Sequence, residues 1–110
     1  MIKLFKAENW MQDRWWCFAP DEKTAKKIIK KEIFAGKIRK FKLSDVTSEY
    51  LDQDGVKYLI DHDFVGIPEK SEFMLNCCSS AMNTHYSEKG RSSTLWWSDK
   101  IPGSRDLWKN

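Results

Sequence analysis

A chain of 110 residues, 41% hydrophobic and 32% charged, has the size and make-up of one soluble globular domain. No apolar run approaches the roughly 18 residues that a membrane span needs, and charges recur too often in Met1–Lys6 for a signal peptide. The net charge of +3 hides an asymmetry: residues 1–45 hold twelve Lys/Arg against six Asp/Glu, and residues 46–110 hold seven against ten.

Residues 2–7 predict a short strand, and Glu8 to Asp13 a turn. Arg14 to Ala19 predicts a second strand. Strand alternation puts Trp15, Cys17 and Ala19 on one face and Trp16 and Phe18 on the other. Apolar groups on both faces imply a central strand covered on both sides. Pro20-Asp21 opens a helix over about residues 21–35, with Asp21 as N-cap, Glu22 in the first turn and Gly36 beyond the end. Ala25, Ile28, Ile29 and Ile33 form its apolar stripe, and Lys23, Lys26, Lys27, Lys30 and Lys31 cluster opposite. Glu32 falls inside the apolar stripe, where fraying or a cationic partner explains it better than catalysis does.

Lys37 to Leu43 predicts a third strand. Asp54-Gly55 is a strong hairpin signal between Ser48–Leu51 and Val56–Ile60. A helix with Tyr50, Leu51, Tyr58 and Leu59 in one stripe competes, but places Gly55 mid-helix at a cost of about 1 kcal/mol. The hairpin is the preferred reading. Asp61 to Glu72 reads as loop, Phe73–Cys78 as a strand candidate, Ser79–Thr94 as a long polar loop, and Thr94–Trp97 as a strand. Ile101-Pro102-Gly103 breaks it before a tail bearing Trp108. Together these predict one α+β domain over residues 1–110. Its mostly antiparallel sheet of about four to six strands packs on one amphipathic helix, and it opens strand, strand, helix, strand.

No spacing demands a reaction. His62 and His85 with Cys17, Cys77 and Cys78 contain no Cys-x-x-Cys, so neither metal nor cofactor is expected. Asp61-His62-Asp63 resembles a metal-phosphohydrolase dipeptide without the further histidines such sites use. Asp52-Gln53-Asp54-Gly55 departs from calcium-loop spacing. Cys77 or Cys78 with His85 is the sole nucleophile–base combination worth naming; packing in a strand accounts for the cysteines more simply. The glycines form no phosphate-cradling loop. Three cysteines, two of them adjacent, suit reduced thiols in a cytoplasm.

The basic helix face continues into Lys37, Arg39 and Lys40, a set that suits phosphate contacts and is equally met by solvated surface. Aromatic residues point to protein contact, because Trp and Tyr dominate interface hot spots. Alternation gives each of the pairs Trp15-Trp16 and Trp96-Trp97 one core ring and one outward ring. The first pair sits in the strand most apolar on both faces, which moves the expected contact towards Trp96 and Trp97. Trp16, Trp108, Tyr86 and Arg91 complete the expected partner-binding set.

A short, Trp-rich chain that is Lys-rich from Lys23 to Lys31 and lacks catalytic spacing resembles, in general style, small proteins encoded by bacteriophages and mobile elements. That resemblance implies stoichiometric binding, including inhibition of a host defence system from within the bacterial cytoplasm. The expectation is therefore a non-enzymatic protein-binding chain. The alternatives are a nucleic-acid-binding accessory protein using the basic helix and a small Cys/His-dependent enzyme.

Overall fold

In a computed structural model, which describes residues 1–73 and 93–106, the chain is an α+β domain. In chain order the elements are β1 (Lys3–Glu8), β2 (Arg14–Ala19), α1 (Glu22–Glu32), β3 (Lys42–Asp45), α2 (Thr47–Tyr50), α3 (Val56–Asp61), β4 (Glu69–Phe73), β5 (Ser93–Trp97) and a 3-10 turn at Ser104–Asp106. The five described strands divide between two antiparallel sheets, β2-β1-β3 and β4-β5.

The expected alternation along residues 14–19 sets the architecture. Phe5, Ala7, Cys17 and Ala19 pack on Ala25 and Ile29 of α1, with Trp15, Ile28 and Ile33 at the margin. On the opposite face, Leu4 and Phe18 pack with Val46, Val56, Leu59, Phe64 and Trp96. The sheet is thus covered on both sides, but its middle strand is β1, where the sequence suggests β2. The outer edge of β2 is closed at one point by reciprocal amide bonds between Phe18 and Gly66, each 2.9 Å.

Helix α1 starts as predicted: Asp21 adopts extended backbone and its carboxylate accepts the Thr24 amide at 2.7 Å. That bond, with Lys23 nearby, holds the Asp21 carboxyl below its usual range. The helix ends at Glu32, three residues early. Phe34 leaves the helical path to meet Trp15 edge-to-face at 5.1 Å and Phe41 at 5.5 Å. Glu32 is the exposed last residue of the helix.

The predicted strand over 37–43 shortens to Lys42–Asp45 for a related reason. Strand β3 pairs with β1 from Phe5↔Asp45 to Glu8↔Lys42, and β1 stops there. Residues 37–41 therefore have no strand to pair with.

The predicted hairpin at 48–60 is replaced by α2 and α3. Asp54-Gly55 still turns the chain, but Gly55 does so as the left-handed residue before α3, with φ 97°. The Asp54 carbonyl accepts the Trp96 amide at 2.9 Å, and Gln53 Oε1 accepts Trp96 Nε1–H at 2.6 Å. Packing against β5 therefore overrides the local hairpin signal. Residues 69–72, expected as loop, belong to β4. Of the strand candidate 73–78, only Phe73 is described, and the stretch 74–92 lies outside the described residues.

Candidate interaction surface

Among the described residues an open groove of about 680 Å³ lies between the β1–β2 turn and the chain leaving α1. One wall is built by Asn9. Its side-chain oxygen accepts the amides of Met11 at 3.0 Å and Asp13 at 2.9 Å. Its backbone carbonyl accepts the amide of Gln12, which stands in left-handed conformation at φ 65°. Such side-chain-closed turns are a habit of Asn. The turn holds Trp10 and Met11 outward, 87% and 61% exposed.

The other wall is the irregular segment after α1. Ile38 is 98% exposed between the exposed Lys37 and Arg39. Arg39 and Lys40 line the groove, with Trp15 and Phe34 also contributing. The edge-to-face packing of Phe34 against Trp15 fixes that part of the lining. Asp13 also lines the groove, and its Oδ2 accepts Asn9 Nδ2–H at 3.3 Å. Isolated exposed apolar side chains are ordinary, whereas several sharing one groove mark a contact surface.

The expected basic face is exposed throughout: Lys23, Lys26, Lys27, Lys30, Lys31, Lys37, Arg39 and Lys40 all lie open to solvent. Among the described residues none of these eight forms an ion pair within 4 Å; the pairs present are Lys3–Asp45 and Arg14–Glu8.

The expected aromatic anchors fare differently. Trp96 is fully buried, edge-on to Trp16 at 5.7 Å and to Tyr50 at 5.7 Å, so it builds the core and offers no ring to a partner. Alternation correctly gives this pair one inward ring; Trp97 is the half-buried member, with the Arg105 guanidinium 5.5 Å above it. Trp16 is half-buried beneath the Lys70 ammonium, 4.6 Å from its ring. Its buried Nε1–H has no hydrogen-bond acceptor among the described residues. Tyr86, Arg91 and Trp108 lie outside the described residues, as do Cys77, Cys78 and His85.

No group of three potential metal ligands occurs among the described residues. The exposed His62 stacks on Tyr58 with ring centroids 4.0 Å apart, and its Nδ1 lies 2.8 Å from the Tyr58 carbonyl oxygen. Burial pushes the Cys17 thiol up to about 12, which makes it a poor nucleophile at neutral pH. Among the described residues no helix is long and apolar enough to cross a membrane.

Sequence reasoning missed the groove. Its signals were present but separate: an Asn opening a tight turn with two large apolar residues behind it, and a lone Ile38 among cations. Comparison with known proteins adds no relative, since no family model, curated protein or solved structure matches the chain.

Proposed function

We propose that the protein is a non-enzymatic binding protein that works by stoichiometric contact with a protein partner, with the groove of Trp10, Met11 and Ile38 as its anchor. One observation carries this reading: three large apolar side chains stand 87%, 61% and 98% exposed in one groove whose rim is cationic. Leaving such side chains in water costs roughly 25 cal/mol per Å² relative to covering them. A partner that covers them gains that energy where hot spots concentrate. Inhibition of a host defence complex from the bacterial cytoplasm is one form of such contact, supported by the chain's general style alone.

The test is an affinity pull-down from bacterial lysate, nuclease-treated, comparing the native chain with a Trp10→Ala/Ile38→Ser variant. The expected result is a protein captured in near-equimolar amount by the native chain and lost with the variant. Capture of no protein at all would sink the reading.

The exposed lysines of α1, unpaired among the described residues, favour a second reading, a nucleic-acid accessory protein. It predicts oligonucleotide binding whose logarithm falls steeply with the logarithm of salt concentration. Absence of binding at low salt removes it.

A further inference from the structure

We infer that the groove receives an acidic peptide segment carrying one bulky apolar side chain, supplied by a protein partner. The inference rests on the protein-binding reading above and names the chemistry of the occupant. The bulky side chain enters between Trp10 and Ile38, towards the ring edges of Trp15 and Phe34. Flanking carboxylates meet Arg39 and Lys40.

Charge decides the sign of the occupant. Residues 21–42 hold nine Lys/Arg against three Asp/Glu. All nine are exposed. A cationic field of this kind steers an acidic partner and raises its on-rate. The undescribed stretches of this chain lack the acidic character of that occupant. Residues 74–92 hold a single acidic residue, Glu88, against Lys89 and Arg91, and residues 107–110 hold Lys109 and no acid.

The lining favours peptide over nucleic acid. A strand of bases wants flat aromatic platforms in succession, whereas this groove mixes Trp10 with Met11, Ile33 and Ile38. Methionine suits side chains of varied shape. Asp13 stands in the lining as well, where its carboxylate can accept a peptide N–H. The Asn9-closed turn holds the backbone that carries Trp10 in place before binding, which lowers the ordering cost that weakens loop-borne contacts.

The experiment is selection of a random peptide library of about 12 residues on the immobilised full chain near physiological salt, followed by fluorescence anisotropy with the enriched peptides. The expected result is enrichment of net-negative peptides with one bulky apolar residue. Their affinity should fall about tenfold or more on Trp10→Ala, and similarly on Arg39→Glu/Lys40→Glu. A Lys23→Glu/Lys26→Glu variant, altered at the start of α1, should change it less than about threefold, because salt screens charges beyond about 8 Å. Unchanged melting temperatures keep these losses attributable to binding.

Neutral or basic enriched peptides, no enrichment, or affinities indifferent to Trp10 each overturn the inference. So does tighter binding of an oligothymidylate about 15 nucleotides long at the same salt. Self-association that competes with the peptides and disappears with Ile38→Asp overturns it in favour of a second copy. A nuclease-resistant protein partner captured regardless of Trp10 leaves the general function standing and removes only the groove.

Discussion

Gly55→Ala isolates the contact that turned a predicted hairpin into a helix pair. Two penalties coincide at this residue. Its φ of 97° lies where a side chain is strained, at a cost of about 1–3 kcal/mol. An added Cβ would also lie 2.9 Å from the Trp96 carbonyl carbon and closer still to its oxygen. The obstacle is backbone held by the Asp54–Trp96 amide bond, and the adjoining indole is fully buried, so neither side yields cheaply. Pushing β5 away loosens that bond, worth about 1 kcal/mol, and misfits a packed core at about 1–3 kcal/mol. The expected loss is about 3–7 kcal/mol, a large share of the 5–15 kcal/mol typical of a whole domain. Gly36→Ala is the matched control. Its φ is 82° but a Cβ there meets nothing within 4 Å, so only the backbone penalty of about 1–2 kcal/mol applies. Urea unfolding followed by tryptophan fluorescence should separate the two midpoints by about 1–2 M. Midpoints that coincide within error would refute the close approach of Gly55 to Trp96.

Other substitutions read other parts of the fold. Trp96→Ala should cost about 3–5 kcal/mol, while Trp10→Ala should stay within about 0.5 kcal/mol; equal losses in chemical denaturation would contradict the assignment of one ring to the core and the other to solvent. Thr47→Val leaves the Leu4 amide without the 2.9 Å acceptor it has in Thr47 Oγ1, for an expected loss of about 1–3 kcal/mol, measured the same way. Asp21→Asn should preserve the helix cap and Asp21→Ala should not. Because the folded-state carboxyl is lowered, its contribution is present above pH about 4 and is lost as pH falls through the folded value. The native chain and Asp21→Asn should therefore converge in thermal stability towards acid. Cys17 should resist iodoacetamide at pH 8 in the folded protein and react on denaturation, as read by peptide mass mapping; modification of Cys17 in the native state would contradict its burial.

Helix α1 was legible because cap, stripe and charged face agree along residues 21–32. The two-faced burial of β2 was legible because six consecutive side chains can alternate in only one way. The α2–α3 segment was not, since the dipeptide Asp54-Gly55 serves a hairpin and a left-handed helix entry equally well, and Trp96 chooses between them from about 40 residues away. Alternation also states that one of Trp96 and Trp97 points inward without saying which. That depends on which face of β5 meets Phe18 and Tyr50. The groove was illegible because its two walls, the turn after β1 and the segment after α1, lie far apart in sequence. The pairing of Glu8 with Lys42 and the closing of Phe34 onto Trp15 bring them side by side.

The burial of Trp96 also bears on how the protein comes into being. Leu4, Phe18, Val46, Val56, Leu59 and Phe64 all leave the ribosome before the ring that completes their cluster. Three hydrogen bonds that close the domain, Leu4 to Thr47, Trp96 to Gln53 and Tyr58 to Pro102, each span 43 or 44 residues. Contacts so distant along the chain slow folding, because their closure entropy is spent before they stabilise anything. During synthesis the nascent protein therefore carries an unfilled apolar hollow until β5 arrives. In that interval it is exposed to aggregation.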